Sequence, residues 1–147
     1  MQFIQFVTNH QKHLDIQVKI DDIVISKTTN VKFLGLILDN MLNWMKYSSE
    51  LTSKLNQACY AIWAVKSLLS TKVQILIYFA YFHSVLCYGL IFWGNSPIAK
   101  KIFKIQKTVI RIIANKGRCD TCRHIFKQFN ILTLPSQYVF SVIGFFN

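Results

Sequence analysis

At 147 residues the chain is long enough for one domain with a real core, and its 52% hydrophobic and 14% aromatic content excludes a disordered basic tail. The formal charge of +11 is unevenly placed: in residues 1–43, Lys12, Lys19, Lys27 and Lys32 balance Asp15, Asp21, Asp22 and Asp39. The whole excess therefore belongs to residues 44–147, where thirteen basic residues face only Glu50 and Asp120.

The N-terminus, Met1-Gln-Phe-Ile-Gln-Phe, has no basic start followed by a long apolar run, unlike a secretory signal. The expectation is an intracellular chain, in the cytoplasm or nucleus, with Cys59, Cys87, Cys119 and Cys122 as reduced thiols. Phe3, Ile4, Phe6 and Val7 predict a short strand. Ile16, Val18 and Ile20 alternate with polar neighbours, Asp21-Asp22 predicts a tight turn, and Ile23 and Ile25 resume the pattern. A third strand is expected over Val31–Leu38, with Gly35 marking a bulge or close backbone approach, and Asp39-Asn40 closing it as a turn.

Beyond Trp44 the apolar period lengthens. Trp44, Tyr47, Leu51, Leu55, Ala58, Ile62, Val65 and Leu69 form one stripe, which predicts a long amphipathic helix. A second helix is expected from Ser70 or Thr71 to Gly94. Within it, Ile75–Trp93 carries no formal charge and meets the length of a membrane span. His83 and Ser84 near its middle, with Gly89 and many aromatics, fit a helix buried by protein instead. Cys59 and Cys87 fall in such apolar stretches as small core residues.

Asn95-Ser96-Pro97 predicts the start of a third helix, with Ser96 as N-cap and Pro97 in the first helical position. Here Ile98, Ile102, Ile105, Val109 and Ile112 repeat at the spacing of one face. Lys100, Lys104, Lys107 and Arg111 repeat on the opposite face. A buried side and a row of cations spanning ~16 Å at ~1.5 Å per residue are expected. Gly117 is expected to end this helix, with Lys116, Arg118, Arg123 and Lys127 extending the charge beyond it. Shorter helices are expected over Thr121–Phe129 and after Pro135.

Such a single-signed row suits the phosphates of a nucleic acid, although many charge runs are merely solvated helix faces. Catalytic patterns are weaker. Cys119-Asp-Thr-Cys122-Arg-His124 lacks the second ligand pair of a structural zinc site and reads as a basic loop with two thiols. His83-Ser84 has no acid beside it and reads as a buried packing pair, since a nucleophilic Ser needs a converging base and an orienting group. Gly35, Gly89, Gly94, Gly117 and Gly144 form no phosphate loop.

Several segments, taken in order, resemble the reverse transcriptases of non-LTR retrotransposons, particularly jockey-like elements. Met1-Gln-Phe-Ile-Gln-Phe looks like the strand after the catalytic loop, and Val31-Lys-Phe-Leu-Gly-Leu-Ile-Leu-Asp39 resembles the Phe-Leu-Gly hairpin called the primer grip. Trp44 fits just beyond it. Leu51-Thr-Ser-Lys-Leu-Asn-Gln-Ala-Cys-Tyr60, Tyr81-Phe-His-Ser84 with Tyr88-Gly89, and Phe92-Trp-Gly-Asn-Ser96 resemble the thumb. So do Ile105-Gln-Lys-Thr-Val-Ile-Arg-Ile-Ile113, Cys122-Arg-His-Ile-Phe126 and Ile131-Leu-Thr-Leu-Pro135.

The resemblance implies an α+β chain: palm-edge strands and primer grip in residues 1–43, then a helical, basic, thumb-like region in 44–147. It implies RNA–DNA or DNA duplex as partner, held through phosphates, with no small-molecule substrate. Phe33, Leu34 and Gly35 would be the primer grip, although sheet core with a bulge explains them equally. The family's magnesium-binding carboxylates, one early Asp and an aromatic-x-Asp-Asp loop, would precede Met1, so no catalytic or metal-binding residue is expected here. Asp21-Asp22 does not restore them, since Lys19 rather than an aromatic stands two residues earlier.

The expected product is thus a fragment that does not polymerise by itself. Without the parent's palm and fingers as partners, its strands would show open edges and uncovered apolar faces. Two other classes fit the residues: a non-catalytic nucleic-acid-binding module acting in trans, and a small membrane protein spanning at Ile75–Trp93.

Overall fold

The computed structural model describes residues 2–7, 16–20 and 23–146 and has an α+β architecture, with short sheets followed by helices. Two compact units divide it, residues 1–48 and 49–147.

In the first unit, β1 (Gln2–Ile4), β2 (Val18–Ile20) and β3 (Ile23–Thr28) form a sheet of order β1-β3-β2. β1 runs parallel to β3, and β2 pairs antiparallel with β3 so that Ile20 faces Ile23. The Asp21-Asp22 turn expected between them lies outside the described residues. β1 is shorter than the predicted strand: Phe6 is exposed, and the Val7 N–H donates to the Asn40 carbonyl at 3.0 Å. Ile20, Ile23 and Val24 are also exposed, so this small sheet leaves apolar surface uncovered.

The single strand expected over Val31–Leu38 is instead a hairpin, β4 (Asn30–Phe33) and β5 (Leu36–Asp39), with Val31 opposite Leu38 and Phe33 opposite Leu36. Leu34 and Gly35 form its turn at φ 46° and 78°. Two positive φ values match the right-handed twist of paired strands, so Gly35 serves the turn and there is no bulge. Leu34 accepts a backbone conformation that costs an L-residue about 1 kcal/mol.

Asp39 then organises the chain's reversal. Its Oδ1 accepts the Met41 and Asn43 N–H groups at 3.1 and 3.0 Å, and Oδ2 accepts that of Trp44 at 2.7 Å. These bonds hold Leu42 and Trp44 at φ 53° and 63°. Trp44 thus stands before the helix, while its carbonyl accepts the Ser48 N–H at 2.8 Å. α1 spans Met45–Val65 and buries Tyr47, Leu51, Leu55, Ala58 and Ile62, as the stripe predicts. It stops short of Leu69, which lies in the following turn. There the buried Gln74 side chain donates to the Lys66 and Leu69 carbonyls at 3.1 and 2.8 Å, satisfying acceptors that a helix end leaves unpaired.

The predicted second helix is broken into α2 (Thr71–Ile77), a π-helical turn (Tyr78–His83), α3 (Ser84–Cys87) and α4 (Leu90–Trp93). Buried side chains recur every fourth residue: Gln74, Tyr78, Phe82, Leu86 and Leu90. A pure α-helix of ~3.6 residues per turn would rotate such a column away from the core. The wider i→i+5 turn compensates, keeping it inward. Tyr88 and Gly89 then interrupt the helix, Gly89 at φ 63°. No helix among the described residues is long and apolar enough to cross a membrane.

α5 (Ile98–Ile113) packs against α2, α6 (Arg123–Gln128) and α7 (Leu134–Phe146). Its start differs from expectation. Pro97, not Ser96, is the N-cap, because the Ser96 hydroxyl donates backward to the Trp93 carbonyl. Its end differs as well. Asn115, at φ 53°, closes the helix two residues before Gly117, with Asn115 N–H to Ile112 O at 3.2 Å and Lys116 N–H to Arg111 O at 2.9 Å. α6 ends the same way at Asn130, with Ile131 N–H to Phe126 O at 2.9 Å. Both are paired-bond Schellman closures, in which Asn supplies the left-handed residue more often given by Gly.

Candidate nucleic-acid interface

The buried line of α5 runs through Ile98, Ile102, Gln106, Val109, Ile110 and Ile113. The expected Ile105 and Ile112 are only half-buried. At ~100° per residue this rotates the core face by roughly 50° from the apolar stripe. The rotation places a polar residue in the core. Gln106 is fully buried, its Oε1 accepting the Leu134 N–H at 2.8 Å and its Nε2 donating to Tyr78 Oη and the Leu132 carbonyl, each at 3.0 Å. One side chain thus joins the π turn, α5 and the start of α7.

The cations remain on the other side. Lys100 and Lys104 are exposed, while Lys107 and Arg111 are half-buried where the chain from Asn115 to Cys122 folds beside them. Lys107 Nζ lies 4.3 Å from the centroid of the Phe103 ring one turn earlier. Arg111 Nε donates to the Asp120 carbonyl at 2.9 Å, and the Asp120 carboxylate accepts the Gly117 N–H at 2.8 Å. Lys116, Arg118, Arg123 and Lys127 are all exposed.

The four-residue row continues as a bent arrangement. Lys107, Arg111 and Arg123 line one pocket of about 340 Å³ with Phe103, Cys119, Asp120, Thr121, Cys122, Phe126 and Thr133. Spacing along α5 foretold the row. It could not foretell that Arg123, from another helix, meets its end.

Cys119 is exposed and Cys122 buried, the latter's thiol directed to the Lys107 and Asp120 carbonyls at 3.7 and 3.8 Å. Among the described residues no three His, Cys, Asp or Glu side chains are grouped to hold a metal ion.

His83 and Ser84 are not a buried pair. Ser84 is exposed and its hydroxyl donates to the Ala80 and Tyr81 carbonyls, both at 2.9 Å. Adjacent helical side chains diverge, so only His83 turns partly inward, with Cys87 Sγ 3.4 Å from its Nε2. Burial holds the His83 imidazole below its ordinary pKa, opposed by a side-chain hydrogen bond with Gln137 that favours the protonated ring, and burial pushes the Cys87 thiol up to about 11. A thiol so raised is not an activated nucleophile.

In the first unit, Phe33, Leu34 and Gly35 are exposed at the hairpin tip rather than packed as sheet core. No family model matches this chain, and neither a curated protein nor a solved structure matches it.

Proposed function

We infer that this chain is the primer-grip and thumb portion of a non-LTR retrotransposon reverse transcriptase, and that it binds an RNA–DNA or DNA duplex through phosphates without polymerising. The ordered sequence resemblance motivates the family. The observation that supports binding is the outward cation face of α5, with Lys100 and Lys104 exposed opposite a buried core face. A sequence-tolerant grip on a sliding duplex needs backbone charge contacts of this kind, which carry little base information. The exposed Phe33-Leu34-Gly35 tip suits a backbone approach to a primer strand.

Two of the six acids are engaged within the fold. Asp39 spends both carboxylate oxygens on backbone N–H groups, Asp120 spends one on Gly117, and no aromatic-x-Asp-Asp occurs in the sequence. The parent enzymes' magnesium would supply nucleophile activation and leaving-group stabilisation.

The test is binding of an RNA–DNA hybrid across a salt series. Four contacts predict a slope of log K against log salt near about −3.6, from ~0.9 per phosphate. The double substitution Lys100→Glu and Lys104→Glu should flatten it by about 1.8. Unchanged affinity and slope in that variant rule the surface out.

A further inference from the structure

We propose that the pocket between α5 and α6 is a discrete phosphate-binding site, holding one phosphate group with several donors where the outer row meets phosphates singly. As an account of what the pocket serves, this rests on the duplex-binding reading above; its own test is separate.

The walls are built for an anion. Lys107 and Arg111 come from consecutive turns of α5, and Arg123 comes from the first position of α6. Against these three cations stands a single acid, Asp120, whose Oδ2 is already committed to the Gly117 N–H. Arg111 is preset: its Nε is anchored on the Asp120 carbonyl, a bond that leaves both terminal amino groups of the guanidinium uncommitted. Lys107 rests on the Phe103 ring, a soft contact that its flexible stem can exchange for an anion. Thr121 adds a hydroxyl to the lining.

The loop between the helices fixes this convergence. Asn115 turns the chain out of α5, and the Gly117–Asp120 bond folds it back so that Cys122 lies under Lys107. The volume, about 340 Å³, exceeds the needs of a lone phosphate and leaves room for a second phosphoryl or an attached sugar. The phosphate could therefore belong to a nucleic-acid strand or be free, as in pyrophosphate.

Cys119 supplies the readout. It lines the pocket and is the exposed thiol among the four, Cys59 and Cys122 being buried and Cys87 half-buried. The full chain would be treated with iodoacetamide, at constant ionic strength set by chloride, under increasing pyrophosphate or RNA–DNA hybrid. Alkylation at each cysteine would be read by mass spectrometry. Saturable protection of Cys119 by both ligands is expected. Arg123→Gln should weaken the pyrophosphate protection about tenfold or more, Arg123→Lys should restore part of it, and Lys72→Gln, at an exposed position, should leave it unchanged. Slow labelling of Cys59 in every variant certifies the fold.

Protection that does not saturate, or that persists undiminished in Arg123→Gln, overturns the pocket. If the hybrid binds in the salt series while pyrophosphate gives no protection, the pocket fails and the duplex reading stands. If pyrophosphate protects but no hybrid binds, the pocket stands and the duplex reading fails.

Discussion

Gln106 donates its Nε2 to Tyr78 Oη at 3.0 Å, and both side chains are completely buried. This bond couples two helical segments, while the remaining atoms of the same amide hold the Leu132 carbonyl and the Leu134 N–H. A buried amide with its oxygen and nitrogen both engaged stabilises the core; a buried amide stripped of partners costs it.

Replacing Gln106 by Leu should therefore destabilise the chain by about 3 kcal/mol, since it strands a backbone donor and acceptor along with the Tyr78 hydroxyl. Tyr78→Phe removes one bond only and should cost about 1 kcal/mol. Urea unfolding followed by circular dichroism measures both. Equal losses would contradict the network's asymmetry.

Asp39 provides a second test, confined to the first unit. Its carboxylate accepts three backbone N–H groups and holds two non-glycine residues at positive φ. Asp39→Ala should cost about 2–4 kcal/mol and change the near-ultraviolet signal of the buried Trp44. Asp39→Asn keeps one carbonyl acceptor and is expected to fall between the two. A Trp44 signal indistinguishable from wild type in Asp39→Ala would show that the turn does not need the carboxylate.

At the hairpin tip, Leu34 is 74% exposed and sits at φ 46°. Asn before Gly suits this turn better than Leu, so Leu34→Asn should raise stability by roughly 1 kcal/mol. If the tip touches a primer, the same change lowers hybrid affinity. Stability and affinity moving in opposite directions is the expected outcome, read by thermal unfolding and by hybrid titration.

Burial pushes the Cys59 thiol from 9.0 to about 12 and that of Cys87 from 9.0 to about 11. Raised values mean that folding favours the protonated thiols. Their contribution is whole below pH ~9 and drains away as pH climbs through the folded values. The urea midpoint should fall with alkalinity over that range, and Cys59→Ala should flatten the fall. His83 works at the acid end: its lowered pKa means protonation opposes the fold as pH drops through the imidazole range. A midpoint independent of pH on both sides would remove these groups from the account.

Much of the secondary structure and the charged face could be read from residue order, because periodicity constrains side-chain direction within a single element. The α1 stripe and the opposed faces of α5 are cases of this. Helix ends were less legible. Asn115 and Asn130 close α5 and α6 by adopting positive φ, whereas Gly117 is the residue that composition draws the eye to. Their signal was present, since Asn is the commonest substitute for Gly at that position.

Other features had no local signal. Gln106 looks like one more polar helix residue until Tyr78, Leu132 and Leu134 surround it. The π turn follows from keeping a fourth-residue column inward, a demand set by what the column packs against. Similarly, Lys107 and Arg111 were bound to share a helix face, but meeting Arg123 depended on the path of the loop from Asn115 to Cys122. Repeat spacing orders side chains around one axis. Only the folded chain brings a second axis beside it, and with it the partners that turn a row of charges into a pocket.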